Sequence, residues 1–132
     1  MNKLKNHLQD VLLNEEIFIV LGDFNVIPEE IDTYNPEEWI NDALFKMETR
    51  KAYREILSLG FVDSFRQFNQ EAENYTFWDY QRGAWQRNKG IRIDHILTSP
   101  QASDKTNNVY IDKSVRDKEK PSDHVPIIID LS

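Results

Sequence analysis

The 132 residues predict an α/β fold of packed layers with largely antiparallel strand pairing, and two patterns carry that expectation. Apolar residues recur at helical spacing in two places: Leu4, Leu8, Val11 and Leu12 near the start, and Ala52, Ile56, Leu57 and Leu59 further on. Between and after these lie stretches of strand rather than helix length: an unbroken apolar run over 17–21 and two mostly apolar ones over 91–97 and 125–131. A helix followed closely by a buried strand is half of an α/β unit, and strands that follow one another directly can pair antiparallel.

In chain order, residues 2–13 form a helix with Lys and Gln on its outer side, packed on the sheet that strand 17–21 enters. That strand mixes β-branched and aromatic residues without a polar break and reads as buried on both faces. Gly22 ends it, permitting a tight exit and close backbone approach. Residues 26–45 are rich in Pro, Glu, Asp and Asn and read as a long surface loop. It holds a short helix over 36–41 opened by Pro36 and is pinned by Trp39 and Phe45. A helix over 48–59 stops at Gly60. Phe61-Val62 starts a short strand, Asp63 can serve as a cap after it, and Phe65 and Phe68 are core candidates. Residues 74–80 have strand composition, with Phe77 as a core filler. A strand over 91–97, a polar loop over 100–108, a short strand over 109–111, a charged connector over 116–120 and a strand over 125–131 complete the order.

Hydrophobic residues at 39% and charged residues at 30% describe one globular domain. The absence of cysteine excludes disulfides and thiolate metal sites. No apolar run approaches the roughly 18 residues of a membrane span, and the chain opens without a signal-peptide core, so the expected location is cytoplasmic with no membrane partner. The net charge of −7 opposes nucleic-acid binding as a whole. Locally the balance reverses: Arg82, Arg87, Lys89 and Arg92 fall in one segment that holds no acid. With Trp78 and Trp85 interleaved, this stretch has the composition of a surface that stacks on bases and holds phosphates.

Three fragments carry the chemistry. Leu21-Gly22-Asp23-Phe24-Asn25-Val26 puts a carboxylate and a carboxamide at a strand mouth, two residues apart and so on one side; the alternative for the pair is a plain Asx turn. Gly90-Ile91-Arg92-Ile93-Asp94-His95 buries an aspartate in an apolar strand, costly unless it is paired. Pro121-Ser122-Asp123-His124-Val125 sets an Asp-His pair before the last strand. Asp23 can orient and deprotonate water. Asn25 can donate to a phosphoryl oxygen or turn its carbonyl to a metal. A protonated His124 can donate to the non-bridging oxygen, with Asp94 orienting its other nitrogen. Asp123 is a further candidate ligand. His7, His95, Asp63 and Asp79 read as structural or exposed.

In this order, and with Gly60-Phe61-Val62-Asp63-Ser64-Phe65-Arg66 and Thr76-Phe77-Trp78-Asp79-Tyr80 between them, the motifs resemble the second half of the exonuclease III/AP endonuclease family. The resemblance covers residues 16–131. It implies half of a four-layer α/β sandwich, a mixed, largely antiparallel sheet with helices on one outer face, and makes residues 1–132 the C-terminal half of the domain with the N-terminal half absent. It implies a metal-dependent DNA-repair nuclease acting on double-stranded DNA at abasic sites and 3′ ends, with Asp23, Asn25, Asp94 and His124 catalytic. Trp78, Arg82, Arg87, Lys89 and Arg92 are then expected to grip DNA. Mg²⁺ or Mn²⁺ is expected at Asp23, Asn25, Asp123 and His124, weakly held because the family's metal-ligand glutamate and a tyrosine belong to the missing half. The expected consequence is feeble cleavage by the chain alone, with three states open: association with a separate first half, self-association through a bared sheet face, or an inactive remnant. A relative acting on small phosphoesters or phospholipids is the competing enzymatic reading.

Overall fold

The computed structural model describes residues 2–80, 83–117 and 122–132. The elements run α1 (Asn2–Leu13), β1 (Ile19–Asp23), α2 (Pro36–Trp39), α3 (Met47–Ser58), β2 (Val62–Asp63), α4 (Ser64–Phe68), β3 (Phe77–Trp78), β4 (Gly90–Ile91), β5 (Asp94–Thr98), α5 (Pro100–Asp104), β6 (Thr106–Ile111) and β7 (Ile127–Leu131). The architecture is mixed α/β with antiparallel sheets. β5 is the middle strand of a three-stranded sheet ordered β1-β5-β2, and β3–β4 and β6–β7 form two further pairs. Among the described residues, no helix is long and apolar enough to cross a membrane.

One face of the β1-β5-β2 sheet is covered by helices. Leu8 and Val11 of α1 and Tyr53 and Ile56 of α3 close on Val26, Phe61 and Leu97, with Phe18 and Val20 packed at the margin. The apolar spacing read from the sequence generates both helical stripes, and Tyr53, three residues before Ile56, joins that of α3 although the sequence reading does not name it. The opposite side of β1 is bare: Ile17 is 57% and Leu21 66% exposed, so this strand is buried on one face only. The unbroken apolar run implied two covered faces because it says that both are apolar, not that both are covered. Gly22 is needed for conformation, with φ +140°, rather than for a close approach, since a Cβ there would meet nothing within 4 Å. Gly90 is the position of close approach: an added Cβ would lie 2.5 Å from the Tyr75 ring.

Other expectations change for identifiable reasons. The strand over 91–97 is broken at Arg92-Ile93, whose N–H groups leave the ladder for the Asp32 carbonyl (2.8 Å) and the Thr76 hydroxyl (3.1 Å). The polar loop over 100–108 is α5 followed by β6; Ser99 caps α5 by accepting from the Ala102 N–H, and Pro100 occupies its first turn. The loop over 26–45 does carry α2, capped by Asn35, but it dips inward, burying Val26, Ile27, Asp32 and Thr33. Asp63 caps α4 as expected and Phe65 is buried, whereas Phe68 is 41% exposed and not core.

Candidate active site

The antiparallel register places Asp23, the last residue of β1, directly opposite Asp94, the first of β5. Directly opposite residues share a sheet face, so two carboxylates meet at one end of the sheet. His124 reaches them from a segment stitched onto β3: the Trp78 N–H donates to the Asp123 carbonyl (2.9 Å) and the Val125 N–H to the Thr76 carbonyl (2.8 Å). The Phe77 ring then lies edge-on against the imidazole, with centroids 5.1 Å apart. Phe77 is therefore more than a core filler; it is a wall of the site.

His124 Nδ1 is 2.8 Å from Asp94 Oδ2 and its Nε2 is 3.9 Å from Asp23 Oδ2. A carboxylate accepts only, so Nδ1 carries a proton and Nε2 faces the open side. Burial works against a cation at His124, but the hydrogen bond and charge of Asp94, helped by Asp123 and Asp23, outweigh it and raise the imidazole above its ordinary pKa. Asp94 is itself raised by burial, against the stabilising hydrogen bonds of His124 and Thr76. The direction that governs the site is the histidine's: Asp94 holds the cation in place.

One ligand atom from each of Asp23, Asp94 and His124 falls within 4.8 Å of the others. The two carboxylates suit a hard divalent cation, whereas His124, held as a cation by Asp94, would keep its Nε2 proton facing the same opening. Asp123 is outside this trio and acts on it through charge. The strand alternation that put Asn25 beside Asp23 stops at Asp23: Asn25 has φ +50°, and its N–H donates to Asp23 Oδ1 at 2.8 Å. The Asx turn and the site coexist, because the turn fixes one carboxylate oxygen and leaves the other toward His124.

The DNA-gripping residues named from sequence divide. Trp78 is fully buried; its indole N–H donates to Asn88 Oδ1 (3.1 Å) and its ring packs edge-on against Trp85 at 4.8 Å. Arg92 is 1% exposed and ion-paired inside. Neither can touch DNA: mixed aromatic and basic composition does not distinguish a packed aromatic knot or an internal ion pair from a surface. Arg87 is exposed, Lys89 is half-buried with its ammonium 5.9 Å above the Tyr34 ring, and Arg82 lies outside the described residues.

Two contributors escaped the sequence reading. The buried Thr76 hydroxyl accepts from the N–H groups of Ile93 (3.1 Å) and Asp94 (3.2 Å), tying β3 to the start of β5. Asp32, within the stretch whose composition predicts a surface loop, is fully buried between Arg92 (2.7 Å) and Arg66 (2.5 Å). Its only signal was the apolar Ile31 beside it.

A family model described as "Endonuclease/Exonuclease/phosphatase family" matches residues 3–124. The chain is 34% identical to exodeoxyribonuclease III of Haemophilus influenzae over 83% of its own length and 43% of that protein. It is 38% identical to an exodeoxyribonuclease of Bacillus subtilis, over 83% of its own length and 42% of the relative. Among solved structures, an AP endonuclease from Archaeoglobus fulgidus superposes with TM-score 0.92 at 37% identity, covering 98% of this chain and 51% of that one. The 3′ phosphatase NExo from Neisseria, bound to a product DNA hairpin, superposes equally well (0.92) at 35% identity, with 98% and 50% coverage. The chain thus spans about half the length of the relatives it matches.

Proposed function

The chain belongs to the endonuclease/exonuclease/phosphatase family, and from that premise we propose that it forms the Asp23/Asp94/His124 half of a DNA-repair nuclease that hydrolyses phosphodiesters at abasic sites and 3′ ends. The observation that carries the reading is the imidazole held between two carboxylates at the paired ends of β1 and β5. Asp23 accepts the proton of the attacking water, with Oδ1 fixed by the Asn25 N–H. His124 Nε2–H donates to a non-bridging phosphoryl oxygen as charge builds there, and Asp94 keeps the ring in the orientation and protonation that allow it. The carboxylates of Asp23 and Asp94 would hold a divalent cation, Mg²⁺ or Mn²⁺, while His124, its Nε2–H committed to the phosphoryl oxygen, lies beside it rather than ligating it. Such a cation supplies charge to the phosphoryl oxygens and the leaving oxygen. Arg87 and Lys89 are the described cations offered for duplex phosphates, with Arg82 beside them in sequence.

Because the matched region is half of the relatives' length, full turnover is expected to need further groups from the complementary half. The test measures Mg²⁺-dependent cleavage of a duplex with one abasic site, with inositol phosphate as the competing substrate. It is run on the chain alone and with the complementary half of the Haemophilus influenzae relative supplied separately. Feeble cleavage alone, a rise on complementation, and loss of that rise in His124→Ala support the reading. Faster turnover of inositol phosphate, or cleavage indifferent to His124→Ala, overturns it.

A further inference from the structure

We infer that the buried cluster around Arg92 and His95 positions the active site, by clamping the strand that carries Asp94 to the loop that leaves Asp23. The need for a clamp arises from the register. Asp23 and Asp94 are like charges directly opposite each other at the point where β1 ends and β5 begins. Such a pair pushes strand ends apart. Past that point, five hydrogen bonds hold the loop of residues 24–32 against residues 92–95, the longest from Arg92 Nη2 to Asp32 Oδ2 (3.4 Å). The Phe24 N–H donates to the Ile93 carbonyl (3.1 Å) and the Arg92 N–H to the Asp32 carbonyl (2.8 Å). Arg92 Nε donates to Asp32 Oδ1 at 2.7 Å, and His95 Nε2 is 2.9 Å from the Val26 carbonyl.

The proton positions in this clamp are determined by its chemistry. A guanidinium can only donate, so the 3.2 Å contact of Arg92 Nη1 with His95 Nδ1 makes Nδ1 the acceptor. His95 is then neutral with its proton on Nε2, which donates to Val26. The other arm of Arg92 grips Asp63 through Nη1 (3.2 Å) and Nη2 (2.8 Å), anchoring the assembly to the end of β2. Both residues flanking Ile93-Asp94 are thus bolted to the chain beyond Asp23. Displacements near 1 Å can cost about 100-fold in rate, so a clamp of this kind acts on catalysis without touching substrate. The effect on turnover rests on the nuclease reading above; the effect on geometry does not.

The test uses the 132-residue chain carrying His95→Phe, which keeps a ring against Phe24 and Tyr53 but loses both polar contacts, and His95→Gln, which can accept from Arg92 and donate to Val26. The readouts are the His124 Nδ1–H proton resonance, thermal unfolding, and kcat and KM for abasic-duplex cleavage. The expected result is a folded His95→Phe protein whose His124 resonance shifts or broadens and whose kcat falls about tenfold with little change in KM, while His95→Gln retains both. Should His95→Phe not fold, Arg92→Lys, which cannot bridge Asp32 and Asp63 together, is expected to disturb the same resonance. An unchanged resonance in the folded variant overturns the inference, as does a resonance lost equally in His95→Gln. If the unmutated chain cleaves no DNA, that bears on the nuclease reading, and the resonance still decides the clamp.

Discussion

Two charge clusters are built from the same four residues, Arg92-Ile93-Asp94-His95, and they differ in completion. On the inner side, Arg92 and Arg66 balance Asp32 and Asp63 around a neutral His95, every one of these polar contacts made within the protein. On the outer side, Asp23 and Asp94 share one imidazole, and Asp23 is 38% exposed. A buried cluster must be charge-balanced and hydrogen-bonded to exist, because desolvation of an unpaired ion costs several kcal/mol. Water tolerates the outer imbalance, and the excess negative charge is what gives that cluster something left to bind. A polar residue in an apolar strand is therefore a weak pointer to function by itself. What separates structure from chemistry is whether its partners are complete.

The sharpest break between the clusters is expected in turnover. His124→Ala should lower metal-dependent cleavage of an abasic duplex by about 1,000-fold, near 4 kcal/mol of transition-state stabilisation, while leaving the urea midpoint nearly in place. The converse holds inside: Asp32→Ala leaves the buried guanidinium of Arg92 and the half-buried one of Arg66 short of a partner and should destabilise the fold by about 3–5 kcal/mol in urea titration. Asp23→Ala, by contrast, should move stability by no more than about 1 kcal/mol, and equal losses from the two aspartates would erase the distinction.

Acid should unfasten the inner cluster first. Burial, reinforced by the charge of Arg92, lowers the His95 pKa from 6.5 to about 4. Between these values the unfolded chain binds a proton that the native state refuses, so stability is full above about pH 6.5 and drains as pH falls toward 4. The slope approaches about 1.4 kcal/mol per pH unit, or roughly 3 kcal/mol in all. Asp63 adds to the loss at lower pH: burial opposes its charge, but Arg92 outweighs burial and holds the carboxyl below its usual range. Unfolding midpoints of the unmutated chain and His95→Gln, compared across pH 4.5–7, should converge on the acid side. The smallest contrast is between two arginines. Arg87→Ala should weaken duplex binding by about 1 kcal/mol and reduce the salt slope by roughly one ion, whereas Arg92→Lys should leave that slope unchanged, its side chain being buried.

Much of this was legible along the chain, for local reasons. The helical stripes of α1 and α3 come from apolar spacing alone, and α2 and the cap of α4 from Pro36 and Asp63. Asp94 drew notice because a carboxylate in an apolar strand demands a partner, and His124 supplies it at 2.8 Å. The misreadings share one cause. Trp78 and Arg92 were placed on a DNA-facing surface by composition, but Asn88 and Asp32, the partners that draw them inward, lie 10 and 60 residues away. Asp32 was passed over for the same reason: nothing in its own neighbourhood says that two arginines will close on it.

The sequence by itself determined the α/β character, the two long helices and the residue kinds able to do phosphoester chemistry, because periodicity, capping and side-chain chemistry act within a few residues. Only the tertiary structure decided which aspartate faces solvent and which is sealed, and that one nitrogen of His124 is occupied while the other is open. Those outcomes depend on register and on contacts between distant segments: a shift of one residue between β1 and β5 would move Asp23 off Asp94, with every local propensity left as it was.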